Sequence, residues 1–333
     1  MIESQVHARN LVSWAEDKPE VVVLSGDLTG SVEIMPFRDT YPDRFFNLGM
    51  AEQNMLSWAG GMAREGWVPF LHTFAVFLVR RPYDQLAMSV CYPNLPVKLF
   101  GFLPGIMTPG GVTHQAIEDI SLMRGLPNMT VLEVGDATDI ESVLDVAHSV
   151  DGPVYVRMLR GAVPRLFDEP MQLDRVRKLS EGEDITLFSS GICTEDAMKA
   201  VQILERNGVS VIHRHVTTHK PFSDPEIDRS IKAARTAVVT VENHTVIGGL
   251  GSEVALRMAE LGGTVPLTRI GIQDKFGHGA SVPFLKRRYG FDTLGILNTI
   301  EGIVGKKLDY DRDEVDAIDV TRPKAAADQL EAL

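Results

Sequence analysis

Apolar positions recur at helical spacing over residues 5–16 (Val6, Leu11, Trp14) and give way to the unbroken run Val21-Val22-Val23-Leu24, which ends at Gly26-Asp27. The first pattern predicts an amphipathic helix and the second a strand buried on both faces. The alternation continues, with strands predicted at residues 45–48, 69–72, 97–102 and 130–133 and helices over 51–65, 83–91 and 140–149. Ala59, Gly60, Gly61 and Ala63 make the 51–65 helix small-sided and predict that it packs closely on a neighbour. Residues 163–183 fit neither period, carry Pro164 and Pro170, and read as a connection between domains. A second block follows, with strands at 185–189, 209–214, 237–241 and 265–270, a helix over 194–207, and another over 252–261 opened by Gly248-Gly249-Leu250-Gly251. From about 309 the chain is acidic and Ala-rich and reads as a loosely attached helix or tail. Strand–helix alternation at this spacing predicts an α/β fold of two domains, each a mostly parallel sheet flanked by helices, the second mixed. The expected boundaries are 1–163 for the first domain, 164–183 for a linker, 184–309 for the second domain and 310–333 for the tail.

Composition narrows the function classes. The 333 residues are 44% hydrophobic and 23% charged, with a formal net charge of -12. An acidic balance argues against a nucleic-acid partner, because phosphate binding needs clustered Lys and Arg. Two cysteines, Cys91 and Cys193, both inside predicted elements, make a disulfide framework implausible and fit a reducing cytoplasm. The segment MIESQVHARNLVSWAED lacks the basic start and apolar core of a signal peptide, and no apolar run reaches membrane-spanning length.

Candidate chemistry gathers in FFNLGMAEQNMLSWAGGMAREGWVPFLHTFAVFLVRRPYDQ, residues 45–85. A predicted strand ends at Leu48-Gly49, Glu52 opens the next helix, and Phe74 and Phe77 follow the next strand. Open α/β sheets bind ligands at the C-terminal ends of their strands. A carboxylate there, beside aromatic rings, could hold a flat heterocycle by one charged hydrogen bond and by stacking. On position alone, Glu52 reads equally as a helix N-terminal carboxylate favoured by the dipole.

These residues resemble a known family. G-M-A-E before a Gly-rich helix, then F-x-x-F and R-x-x-D-Q, is similar to the pyrimidine-binding domain of transketolases. PGGVTHQAIEDISLMRGLPNMTVLEVGD (109–136) resembles that family's substrate-side loop, GPVYVRMLRG (152–161) its domain end, and VENHTVIGGLGSEVA (241–255) its C-terminal domain. The four segments occur in register over nearly the whole chain. The resemblance implies thiamine diphosphate as cofactor and Glu52 as the residue that activates it, by giving a proton to the pyrimidine ring. It implies Phe74 at the pyrimidine face; Phe77 fits that role or plain core packing. His114 corresponds to a histidine facing the sugar and its reacting carbon, where an imidazole can shuttle a proton near neutral pH. Ser31, in DLTGS, and Arg160 correspond to two residues lining the substrate's phosphate channel; Arg160 also reads as a surface ion pair. Arg81 and Asp84 read as a structural pair. His213, His215 and His219 alternate as metal ligands can, but no Cys or carboxylate completes a set, so they and His244 and His278 read as structural and no metal site is expected.

The family's diphosphate-gripping domain has no counterpart: no G-D-G with a downstream Asn occurs in a suitable position. The resemblance therefore implies a separate N-terminal subunit that holds the diphosphate with magnesium or calcium, a heterotetramer with active sites between chains, and sugars as substrates. Four positions depart from the sugar-phosphate pattern. Gln5 and Phe102 stand where an Arg and a phosphate-contacting His are usual, and Gly110 and Val112 replace the Asp and Pro around the T-H loop. The cofactor end is intact and the acceptor end altered, so an acceptor other than an ordinary aldose phosphate is expected. The rival readings are the beta subunit of a 2-oxo-acid dehydrogenase, a synthase of the deoxyxylulose phosphate type, and a noncatalytic regulatory subunit of the same fold.

Overall fold

A computed structural model describes residues 1–263 and 265–324. Strands of the first half are β1 (Ile2–Ser4), β2 (Val21–Ser25), β3 (Phe45–Asn47), β4 (Val68–Phe74), β5 (Lys98–Phe102), β6 (Thr130–Glu133), β7 (Val154–Met158) and β8 (Ala162–Pro164). The second half adds β9 (Arg177–Ser180), β10 (Ile185–Ser190), β11 (Val211–Val216), β12 (Thr218–Lys220), β13 (Ala237–Thr245) and β14 (Leu267–Ile272). Their order is β12-β6-β7-β5-β4-β2-β3 in one sheet and β14-β13-β10-β11-β9 in the other, while β1 and β8 form a small antiparallel pair. Each large sheet is parallel except for one edge strand, β12 on β6 and β9 on β11. This is the expected fold: two α/β domains, mostly parallel.

The continuous apolar strands exist because both faces of each sheet are covered. Val21 and Val23 join Phe70, Phe100 and Val156 on one face of the first sheet, and Val22 and Leu24 join Leu71, Leu99 and Val131 on the other. In the second sheet Leu187, Val239 and Val241 face one layer, and Phe188 and Val238 the opposite one.

Several expectations are corrected. The 163–183 stretch contains β8 and β9, because its backbone pairs with β1 and with β11 instead of spanning open solvent. The tail is not loose in its described part: a helix, Arg312–Ala317, buries Val315, Val320 is also buried, and Arg165 O accepts the Arg322 backbone N–H. Residues 325–333 of the expected tail lie outside the described residues. The 83–91 helix changes its hydrogen-bonding period, with a wider π turn over Leu86–Cys91. Gly60 does pack closely, since a Cβ there would stand 2.5 Å from Ser89 O, but Gly61 faces open space.

The second half lends β12 to the first sheet, and an ionic chain, buried except at its Arg124 end, runs through that seam. Arg157 donates through Nε to Asp119 Oδ2 (2.8 Å), through Nη1 to Glu133 Oε1, and through Nη2 to Asn243 O (3.0 Å). His219 on β12 meets Glu133 Oε2 at 3.0 Å and Glu253 Oε2 at 3.5 Å, and Glu253 pairs in turn with Arg124. The other suspected histidines are also internal: His213 meets Ser189 Oγ (2.8 Å), and His215 meets Thr194 Oγ1 (2.7 Å) and Asp139 Oδ2 (3.2 Å).

Burial alone would lower the His219 imidazole, but Glu253 and Glu133 outweigh it and hold it up at about 9. A folded value above the usual 6.5 means that this stabilisation is complete below pH 6.5 and is lost as pH rises through 9. Glu242, pushed up to about 8 by burial, acts in the same direction. The urea midpoint is therefore expected to fall between pH 6.5 and pH 8, above which Lys98, lowered to about 7 by burial, acts in the opposite direction and offsets His219. His219→Gln is expected to flatten the fall while lowering the midpoint at the acid end. An unchanged slope in the variant would show that His219 is uncharged in the folded chain.

Candidate active site

Glu52 is the first residue of the helix Glu52–Arg64, which follows β3 after a turn at Gly49, whose φ is +73°. Asn47 Nδ2 donates to Asp27 Oδ1 (3.1 Å) and so ties the loops after β2 and β3 together. The Glu52 carboxylate is 2% exposed. It lies beside Gly26, where an added Cβ would stand 3.1 Å from Thr73 Oγ1 and 3.8 Å from Glu52 Oε1. Thr73 Oγ1 is buried and has no partner among the described residues. Phe74 ends β4, and Phe77 stands one turn on, in the helix Ala75–Arg80, with their ring centroids 5.9 Å apart.

His114 completes this wall. Its ring centroid is 5.4 Å from that of Phe77 and 6.3 Å from that of Phe74, edge-on to both. Its Nδ1 meets Thr113 Oγ1 at 2.8 Å. The imidazole folds over Gly110, where a Cβ would stand 2.9 Å from His114 Cγ, so the missing Asp at that position has a local packing cause. The loop is clamped from two sides. Gln115 Nε2 donates to Thr108 O (3.1 Å) and to His278 O (3.0 Å) of the second domain. Arg80 donates to Val112 O (3.3 Å) and Gln115 O (3.1 Å), on either side of His114, and pairs with Glu118.

Two residues depart from their expected places. Arg81 does not pair with Asp84; its Nη1 donates to both Glu52 oxygens, at 3.0 and 3.1 Å, with the guanidinium 4.1 Å over the Phe77 ring. Phe102 lies in the core. It is wholly buried, edge-on to His7 at 5.4 Å, within a cluster that includes His72 and Phe100. Burial pushes His7 down to about 3 and His72 well below its usual range, so this pair, 3.1 Å apart, is two neutral rings.

Ser31 and Arg160 meet each other, Arg160 Nη1 donating to Ser31 O at 2.9 Å. Glu33 Oε1 accepts the Gly161 N–H at 2.7 Å beside them. Burial pushes the Glu33 carboxyl up, and Arg160 and Arg9 draw it partly back. Gln5 is exposed, and Arg9, one turn along the same helix, supplies a cation within electrostatic reach of Glu33. The six expected residues thus form two groups, Glu52–Phe74–Phe77–His114 and Ser31–Arg160. Both stand on loops and helix starts leaving the C-terminal ends of parallel strands, where an open sheet takes its ligand. Arg80 and Thr73 were missed and Arg81 was read as structural; the Arg-Arg pair that follows F-x-x-F after two residues was the available signal.

The two-domain architecture, with a carboxylate, aromatics and a histidine at one sheet edge, defines a class, and this chain belongs to the transketolase family. Residues 4–165 match the family model for the transketolase pyrimidine binding domain, and residues 174–296 that for the transketolase C-terminal domain. The chain is 39% identical over 295 residues to the transketolase family protein y4mN of Sinorhizobium fredii, covering 87% of this chain and 86% of that one. It is 36% identical over 301 residues to the 6-deoxy-6-sulfo-D-fructose transketolase subunit SqwH of a Clostridium species, covering 89% and 92%. A solved split-gene transketolase, described as an inactive beta4 tetramer, superposes with a TM-score of 0.81 at 36% identity over 91% of this chain and 98% of that one.

Arg80→Met removes the grip on both carbonyls that flank His114. A loss of about 1–2 kcal/mol is expected from the broken charge-assisted bonds. It would be read in urea melts, together with faster amide hydrogen exchange confined to residues 110–118. Exchange unchanged there would mean that Gln115 alone holds the loop.

Proposed function

We propose that this chain is the C-terminal subunit of a split, thiamine-diphosphate-dependent transketolase, moving a two-carbon ketol unit from a ketose to an aldehyde acceptor. The observation that carries this reading is the buried Glu52 carboxylate, joined through Arg81 to the Phe77 ring of the Phe74–His114 wall. The site fits the pyrimidine end of the cofactor. A buried carboxylate, an unpartnered hydroxyl at Thr73 and two phenyl rings suit a flat, nitrogen-rich ring, and a flat nitrogen cation from Arg81 already rests on the carboxylate and one ring. Bound there, the cofactor supplies the nucleophilic carbon that no protein side chain offers for cleaving a bond next to a ketone.

The chain's own residues orient and move protons. Glu52 would hold the pyrimidine and exchange a proton with its ring nitrogen, in a pocket where burial strengthens that bond. Phe74 and Phe77 would set the ring plane and exclude water. His114, one nitrogen fixed by Thr113 Oγ1, keeps the other for a hydroxyl of the sugar. Arg160 and Ser31 line the far side, where a cation suits an acidic sugar terminus. We assign the diphosphate and its magnesium or calcium to a separate N-terminal subunit, in a heterotetramer. This is supported by relatives described as subunits or split-gene products. With Phe102 packed in the core, the altered positions that bear on the acceptor are Gln5, Gly110 and Val112.

The test is reconstitution with the cognate N-terminal subunit, cofactor and magnesium against a panel of ketoses, aldehydes and 2-oxo acids. The chain alone is expected to show no turnover. In the complex, Glu52→Gln should lower kcat by about 100-fold or more, with a melting temperature close to that of wild type. Ketol transfer undiminished in that variant would sink the assignment, and turnover of 2-oxo acids alone would favour the dehydrogenase reading. Arg160→Ala should raise KM for anionic acceptors by roughly tenfold, the loss of one charge-assisted bond, while leaving neutral acceptors little changed. Equal effects on both would remove Arg160 from anion recognition.

A further inference from the structure

Arg80 and Arg81 are neighbours in sequence with opposite tethers. Arg80 is locked, bonded to Glu118 and to two carbonyls of the His114 loop. Arg81 is held only at its tip: among the described residues its hydrogen bonds are the two from Nη1 to the Glu52 oxygens. Its side chain is 47% exposed and the carboxylate it grips 2%, so the guanidinium reaches from solvent into a buried site. Its carbon lies 4.1 Å from the Phe77 ring centroid.

A guanidinium is a flat, delocalised N–C–N group that bonds a carboxylate through its edge and stacks through its face. An aminopyrimidine competes for the same two contacts: its planar face stacks on a ring, and the ring nitrogen at its edge bonds a carboxylate. Both cannot occupy the Glu52 carboxylate and the Phe77 face together. We propose that Arg81 is an internal occupant of the pyrimidine cradle, seated in the free chain and displaced to solvent when the cofactor's ring enters. This rests on the cofactor reading above. The device keeps Glu52 paired while the cradle lacks a ligand, which matters because an unpaired buried carboxylate is costly. It also taxes binding of the pyrimidine alone: affinity is reduced by the fraction of chains with the cradle open. The ring is then held firmly only where the diphosphate is anchored as well, on the other subunit.

The experiment titrates thiamine, which lacks the diphosphate, into the isolated chain, with binding read by calorimetry and by NMR shifts of the thiamine pyrimidine protons. Arg81→Met is expected to tighten binding by roughly three- to tenfold, the range that follows from removing a competitor held by one part-exposed ion pair. Adding Glu52→Gln to that variant should abolish the gain. Circular dichroism checks the fold, and Arg81→Gln, which fills similar volume without charge, is read in its place if Arg81→Met does not fold. Thiamine bound equally or more weakly by the folded variants overturns the displacement proposal alone. Thiamine bound by neither wild type nor variants overturns the cofactor reading and this proposal with it.

Discussion

Arg157 is the constraint on which the rest of the arrangement depends. Its guanidinium is fully buried and spends three nitrogens on Asp119, Glu133 and the Asn243 carbonyl. A buried charge is tolerable only when every part of it is met, and removing one partner from such a group typically costs about 3–5 kcal/mol. Satisfying it fixes the last residue of β6, the start of the helix Asp119–Arg124 and the end of β13 relative to one another. Asn243 extends the constraint: its Oδ1 accepts from Ile106 N (3.0 Å) and its Nδ2 donates to Pro104 O (3.1 Å). A Cβ at Gly105 would fall 2.2 Å from that Oδ1, and the φ of +58° there likewise suits glycine. The loop that carries His114 therefore leaves β5 along a path dictated by the second domain.

The site combines rigid and yielding parts in adjacent residues. Its wall is rigid, because Phe74 closes a buried strand and the His114 loop is bonded on both flanks. Its carboxylate is rigid, set by a turn and a helix start. Arg81 yields, since a long side chain anchored at one end and half in water loses little on leaving. A preorganised cleft with one replaceable charge suits a group that arrives complete, because little beyond that charge must rearrange.

Legibility in the sequence followed the strength of local signals. β2 could be read because four consecutive apolar residues admit few alternatives, and the helix Ala137–His148 because its apolar residues keep one period. β1, β8 and β12 could not, since strands of three residues carry no period and are chosen by a partner distant in sequence. Glu52, Phe74, Phe77 and His114 were singled out through the order of their motifs; the three rings lie within 6.3 Å of one another, and Arg81 bridges Phe77 to Glu52. Phe102 was read by its place in the motif order, and its burial could not be read there, because a strand buried along its whole length shows no alternation. Arg81 was paired with a sequence neighbour when its partner lies 29 residues away, a choice that only the fold could make.

The antiparallel β12 shows that the seam of the sequence and the seam of the fold differ. The natural place to divide the chain is the connector after β8, yet the strand completing the first sheet comes more than fifty residues later. A fragment stopping at the connector would leave the N–H and C=O groups of β6 bare along an open edge, a template for pairing with other chains. It would also strip Glu133 of its histidine and Arg157 of its third acceptor. The two halves of the chain are therefore one folding unit at this seam, because the first sheet is woven from both.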